Sequence, residues 1–168
     1  CVFFPGSTIG NFNQQDAKAL LAHMRTAAGP GGRLLIGFDQ KKDAAVLEAA
    51  YDDAAGVTAD FNKNVLARIN RELGGDVNVD AFAHMAFYND VDGRIEMHLK
   101  SIGAQSFGIG GHTFHFVDGE TIHTENSYKY AVKEFEQLAS AAGLCLARTW
   151  TDSADKFALL LFDVTNTG

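Results

Sequence analysis

"CVFFPGSTIGN", residues 1–11, followed at residues 33–39 by "RLLIGFD", is the part of the sequence from which the fold can be read. CVFF is an apolar run of strand length, and PGSTIGN is turn chemistry. Ala17, Leu20, Leu21 and Met24 then recur at helical spacing until "GPGG" at residues 29–32 stops the run. RLLIGFD reads as a second buried strand. Strand, helix and strand in this order and at this length predict a parallel pair joined by a crossover helix, hence an α/β sheet.

Beyond Asp39 the texture changes. "KKDAAVLEAAYDDAAG" (41–56) and "VTADFNKNVLARINRELGG" (57–75) read as two helices. The second places Phe61, Val65, Ile69 and Leu73 along one face, and Gly74 and Gly75 end it. From Phe87 to Ser127 the pattern has mostly period two. "RIEMHLK" (94–100) sets Ile95, Met97 and Leu99 against Arg94, Glu96, His98 and Lys100, and Asp92–Gly93 and Asp118–Gly119 are hairpin signals. A helix returns in "YAVKEFEQLASAAG" (130–143), with Val132, Phe135, Leu138 and Ala142 on one face and Gly143 as its stop. Two apolar strands, "LCLARTW" (144–150) and "FALLLF" (157–162), close the chain around the polar turn "TDSAD". The expected architecture is a doubly wound sheet interrupted by an inserted lobe of helices and antiparallel strands, with the last helix and strands returning to the sheet.

A composition of 46% hydrophobic and 21% charged residues in a 168-residue chain suits one globular domain or two small lobes. The net charge of -7, with acidic residues scattered, offers no footprint for a nucleic acid or an anionic membrane. Cys1 and Cys145 stand far apart without CxxC spacing, so neither a disulfide framework nor a zinc knuckle is indicated, and a reducing cytoplasm is expected. No apolar run reaches the 18 residues a membrane helix needs. The chain opens inside an apolar strand with no initiator Met, and an upstream part is expected to be missing.

In such sheets ligands bind where loops leave the carboxyl ends of the strands, and PGSTIGN occupies such an end. Gly6 and Gly10 allow close backbone approach, while Ser7, Thr8 and Asn11 supply polar groups. Asn11 has an alternative role as cap of the following helix. No Lys follows the glycines, so this is not a Walker loop. In "IHTENSYKY" (122–130), Glu125 and Ser127 share one face of an extended strand. A carboxylate and a hydroxyl can satisfy both nitrogens of a neutral imidazole, and a ring without nitrogens would leave each unpaired at about 1–3 kcal/mol. The other reading of the pair is a solvated strand face. A metal site from His112, His115 and His123, with His98, is not expected. An i, i+3 pair in a strand points to opposite faces, and no HExxH helix is present.

"GSTIGNF", "LLIGFD" followed by "KKD", "AYDDAAGVTADFN", "LARINRELG", "FYN", "RIEMHL" and "IHTENSYKY" together resemble the histidine-specific N-alpha-methyltransferases of ergothioneine biosynthesis, over essentially the whole chain. The resemblance implies a Rossmann-like class I methyltransferase sheet, here residues 1–41 and 128–168, interrupted by an α+β substrate-binding domain at 42–127. It implies S-adenosylmethionine as methyl donor, L-histidine as acceptor, trimethylhistidine (hercynine) as product, and a cytoplasmic monomer without a metal. It places the substrate's amino and carboxylate groups at Asn11, the carboxylate also at Tyr51, and the imidazole at Glu125 and Ser127. Met97 is implied to line the ring pocket, and Gly6 to turn the backbone beside the amine. The family's acidic, glycine-rich cofactor loop has no counterpart in this chain, whose residues alone are expected to bind cofactor poorly. No side chain is assigned as a general base.

Overall fold

The computed structural model describes residues 1–165. The elements begin with β1 (Val2–Phe4), a 3-10 turn (Thr8–Asn11), α1 (Gln14–Ala28), β2 (Arg33–Asp39), α2 (Ala44–Tyr51) and α3 (Val57–Leu73). The strands β3 (Phe82–Asn89), β4 (Arg94–Ser101), β5 (Gln105–Ile109), β6 (His112–Phe116) and β7 (Thr121–Tyr128) follow. The chain closes with α4 (Val132–Ser140), β8 (Leu144–Thr151) and β9 (Phe157–Val164). Contacts divide it into two compact units. The first comprises Cys1–Asp43, Asp90–Arg94 and the chain from Asn126 onward, and the second comprises Ala44–Asn89 and Ile95–Glu125.

The first unit is built on a sheet of order β1-β2-β9-β8. β1 runs parallel to β2, with Val2 opposite Leu34 and Phe4 opposite Ile36, joined by α1 as the strand–helix–strand pattern requires. β9 lies antiparallel to β2 along its full length, from Arg33 opposite Asp163 to Asp39 opposite Phe157. Leu34, Ile36 and Phe38 of β2, Leu160 and Phe162 of β9, and Phe135 of α4 form the buried centre, where Phe38 stacks on Phe135 at 4.2 Å between ring centroids. β8 buries little beyond Leu144, because it is the edge strand, and a bulge between Leu146 and Arg148 shifts its register. Its apolar appearance in the sequence therefore overstates its burial.

The second unit holds a three-stranded sheet, β3-β4-β7, and the hairpin β5–β6. α3 buries Asn62 and Leu66, whereas Phe61, Val65 and Leu73 are exposed. The helical period was legible, but of the expected face Phe61, Val65, Ile69 and Leu73 only Ile69 packs against the core, so the buried phase is rotated toward Asn62 and Leu66.

The start of α3 shows how a short polar signal fixes an element. Gly56, its N-cap, has no side chain to offer, and Asp53 supplies the cap from outside the helix. The Asp53 carboxylate accepts the backbone N–H groups of Thr58 (2.8 Å) and Val57 (3.1 Å). These bonds, that from Thr58 first, hold its carboxyl at about 2 rather than 3.8. Because the folded value lies below the unfolded one, the stabilisation is complete above the unfolded pKa and is lost as pH falls through the folded value. Titration of Asp53 by carboxyl-carbon NMR is expected to show a midpoint near 2, and Asp53→Ala is expected to lower the melting temperature at neutral pH.

Candidate functional site

In the first unit the loop after β1 is fastened to the end of β2. Ser7 adopts a left-handed backbone (φ 61°) that a non-glycine residue occupies at a cost, and two bonds hold it there. Its N–H donates to the Gly37 carbonyl (3.1 Å), and its hydroxyl accepts the Asp39 N–H (2.9 Å). Gly6, at φ 85°, lies exposed on the bend just before it. The 3-10 turn then brings Gly10 against the end of β7. A Cβ on Gly10 would stand 2.7 Å from the Tyr128 carbonyl oxygen and 3.6 Å from Ser127 Oγ. The glycine's task is thus close approach to a strand of the protein itself. Asn11, next in the turn, is exposed and does not cap α1. Asn13 does so, accepting the Asp16 N–H at 2.9 Å.

Ser127 is buried, and its neighbour on the same face of the extended chain is Lys129, whose side chain is 0% exposed. The Lys129 ammonium donates to Ser127 Oγ (2.9 Å) and pairs with the Asp39 carboxylate (3.0 Å), which also pairs with Lys42. A charge this deep is tolerated only when paired and hydrogen-bonded. Lys129 escaped the sequence reading. Its signal was available: a lysine between two tyrosines, continuing the i, i+2 face of Glu125 and Ser127.

In the second unit Tyr51 and Met97 lie in one cluster with Leu47 and Ile95, Met97 being buried. Thr124 of β7 donates its hydroxyl proton to the Met97 carbonyl (2.9 Å). Tyr51 ends α2, and its backbone is tied down by residues the sequence did not single out. His84 Nε2 lies 2.8 Å from the Tyr51 carbonyl and must donate to it, so His84 Nδ1 is the acceptor for the Asn62 amide at 2.9 Å. Asn62 is itself buried and also donates to the His98 carbonyl (3.1 Å). Glu125 lines an apolar groove of about 580 Å³ together with Phe61, Val65, Phe107, Phe114 and Ile122. The outward-turned edge of α3 forms one wall of that groove.

Among the described residues, one cluster has metal-ligand chemistry: Glu96, His98 and His123 offer ligand atoms within 4.8 Å of one another. It differs from the trio considered in the sequence. His115 instead bonds Ser106, and His98 and His123 pair across strands. Their rings stack at 4.4 Å with planes 13° apart. His98 Nε2 is within 3.1 Å of the Glu96 carboxylate.

The chain is similar in fold to solved methyltransferases. The CcbJ methyltransferase from Streptomyces caelestis aligns with a TM-score of 0.51 at 14% identity, over 98% of this chain and 60% of that one, a likeness of fold. The sheet is thus the Rossmann-like one of class I methyltransferases. Beyond the fold, the chain belongs to the family described as histidine-specific, S-adenosylmethionine-dependent methyltransferases, whose model matches residues 1–164. Histidine N-alpha-methyltransferase of Mycobacterium tuberculosis is 46% identical over 160 residues, which are 94% of this chain and 50% of that protein. Ergothioneine biosynthesis protein 1 of Neurospora crassa is 33% identical over 165 residues, 90% of this chain and 17% of that protein. The chain thus spans about half the length of the mycobacterial relative and less of the fungal one.

S-adenosylmethionine has to be gripped at its ribose and its amino-acid end, typically by an acidic side chain and a glycine loop. At the carboxyl ends of β1 and β2 the Asp39 carboxylate is committed to Lys42 and Lys129, and the Ser7 hydroxyl to the Asp39 N–H. These residues do not fit the cofactor, and no step is derived through it. The same contacts give the loop a steric test. Gly10→Ala would push a methyl group against the Tyr128 backbone and is expected to destabilise the protein by about 1–3 kcal/mol in denaturant unfolding.

Proposed function

We propose that the full-length protein transfers methyl groups from S-adenosylmethionine to the α-amine of L-histidine, giving trimethylhistidine (hercynine) for ergothioneine biosynthesis. The observation that carries this reading is the family match over residues 1–164, which includes the "TENSY" stretch on β7. The 46% identity to a protein named for histidine N-alpha-methylation supports the choice of acceptor. In this reading the first unit is the methyltransferase domain and the second is the substrate-binding insertion.

The acceptor is L-histidine. Gly6 and Asn11 meet its amine, Asn11 and Tyr51 its carboxylate, Glu125 and Ser127 its imidazole, and Met97 the apolar side of the ring. Two features of these residues support their roles. Ser127 is a buried hydroxyl held in place by a charged donor, unlike a solvated strand residue. Tyr51 is anchored through its carbonyl by His84, which leaves its ring oriented by packing with Met97 and Leu47. S-adenosylmethionine, when bound by the full-length protein, would supply the electrophilic methyl group, and the residues named here would contribute by orienting the acceptor, with no metal. A reducing, cytoplasmic compartment fits the two exposed free cysteines, Cys1 and Cys145. Among the described residues no helix is long and apolar enough to cross a membrane.

The full-length protein, incubated with S-adenosylmethionine and a mixture of amino acids, is expected to yield histidine heavier by three methyl groups in mass spectrometry of the products. Methylation of a different amino acid would move the reading to a related methyltransferase with another acceptor. Histidine binding without any methylated product would make it a non-catalytic binding module.

A further inference from the structure

We propose that His84 and Asn62 are positioning residues that fix the end of α2, so that the Tyr51 ring stands where it meets the acceptor's carboxylate. The inference rests on the reading of Tyr51 as a carboxylate contact and adds two residues behind it. Tyr51 is the last residue of α2, and the carbonyls of a helix's last turn have no partner within the helix. The Tyr51 carbonyl finds one in His84 of β3, whose Nε2 lies 2.8 Å away. A carbonyl only accepts, so this ring nitrogen carries a proton. His84 Nδ1 lies 2.9 Å from the Asn62 amide nitrogen, which also stands 3.1 Å from the His98 carbonyl. Turning the Asn62 amide over would set its oxygen against that carbonyl, so the NH2 group keeps its place. Nδ1 is then the bare nitrogen, and the single ring proton is aimed at Tyr51.

Asn62 lies on α3 and is 3% exposed, and His98 lies on β4. One chain of hydrogen bonds therefore ties the end of α2 to β3, α3 and β4. Stability alone gives little reason for it. Tyr51 is only half-buried, and water can satisfy a carbonyl at such a helix end. The other buried position of α3 is the apolar Leu66, and an apolar side chain would serve the core at position 62 as well. What it could not do is hold the His84 ring in one orientation. A side chain that has to meet a small charged group needs a backbone that does not wander, and a ring held at both nitrogens provides that.

The test is a double-mutant cycle on the full-length protein, with L-histidine affinity measured by calorimetry in the presence of S-adenosylhomocysteine. Tyr51→Phe removes the hydroxyl that meets the carboxylate, and His84→Phe keeps an aromatic ring while removing both of its hydrogen bonds. Each is expected to weaken histidine binding about tenfold, the scale of one lost hydrogen bond to a charged group. The double variant is expected to lose no more than Tyr51→Phe alone, because a displaced ring without its hydroxyl has nothing further to lose. His84→Gln, whose amide offers one N–H donor and one acceptor oxygen, should recover most of the parent affinity. Asn62→Ala leaves His84 without its anchor. It should weaken binding in the parent background and not in Tyr51→Phe, and it serves as the readout if His84→Phe does not fold. Losses that multiply in the double variants, as a general loosening of the second unit would give, would overturn the proposal. So would a folded His84→Gln that binds as weakly as Tyr51→Phe. If Tyr51→Phe binds histidine as the parent does, the carboxylate reading of Tyr51 itself fails and the role of His84 and Asn62 falls with it. If Tyr51→Phe weakens binding while folded His84→Phe and Asn62→Ala do not, only the role of His84 and Asn62 fails.

Discussion

The first unit turns on Asp39. Four separate groups converge on this one residue at the carboxyl end of β2. Its N–H donates to the Ser7 hydroxyl, its carbonyl accepts the Tyr130 N–H, and its carboxylate pairs with Lys42 and with the buried Lys129. Together the four bonds bring in three stretches of chain: the loop after β1, the segment after β7, which supplies both Lys129 and Tyr130, and the turn after β2 itself. A buried ammonium without a counter-charge would cost several kcal/mol, so the Lys129–Asp39 pair fixes how the end of β7 lies beside β2. The parallel bridge between Gln40 and Tyr130 extends that junction by one residue. Ser127 and the Gly10 turn inherit their positions from it.

This arrangement explains why so small a loop carries polar chemistry without a phosphate-type glycine cradle. Ser7 tolerates a left-handed backbone because both its N–H and its hydroxyl are used. Gly10 is needed because the Tyr128 carbonyl is already where its side chain would be. Asn11 is exposed and follows Gly10, the glycine that packs against the end of β7 near the buried Ser127.

Much of the fold was legible because hydrophobic period and turn chemistry are local. The β1–α1–β2 unit, the hairpin at Asp92–Gly93 and the closing β8–β9 pair follow from them, whereas Asp118–Gly119 is a turn between β6 and β7, which belong to different sheets and do not pair as the expected hairpin. What could not be read was phase and neighbourhood. The period of α3 is plain, yet Phe61 and Val65 line a groove while Asn62 takes the buried position, because Asn62 has the His84 ring and the His98 carbonyl as partners. β8 looks like a core strand but lies at an edge. Asn11 and Asn13 are equally good caps on paper, and backbone geometry gives the role to Asn13. For the candidate site, the strand face of Glu125 and Ser127 was available from i, i+2 spacing. The burial and pairing of Lys129 were not, since its partner Asp39 lies 90 residues earlier in the chain.

The central claim, that the buried Ser127 receives the imidazole of a histidine acceptor, is tested most directly by a crystal structure of the full-length protein with L-histidine and S-adenosylhomocysteine. The account predicts a ring nitrogen within hydrogen-bonding distance of Ser127 Oγ. A histidine ring bound elsewhere would contradict it.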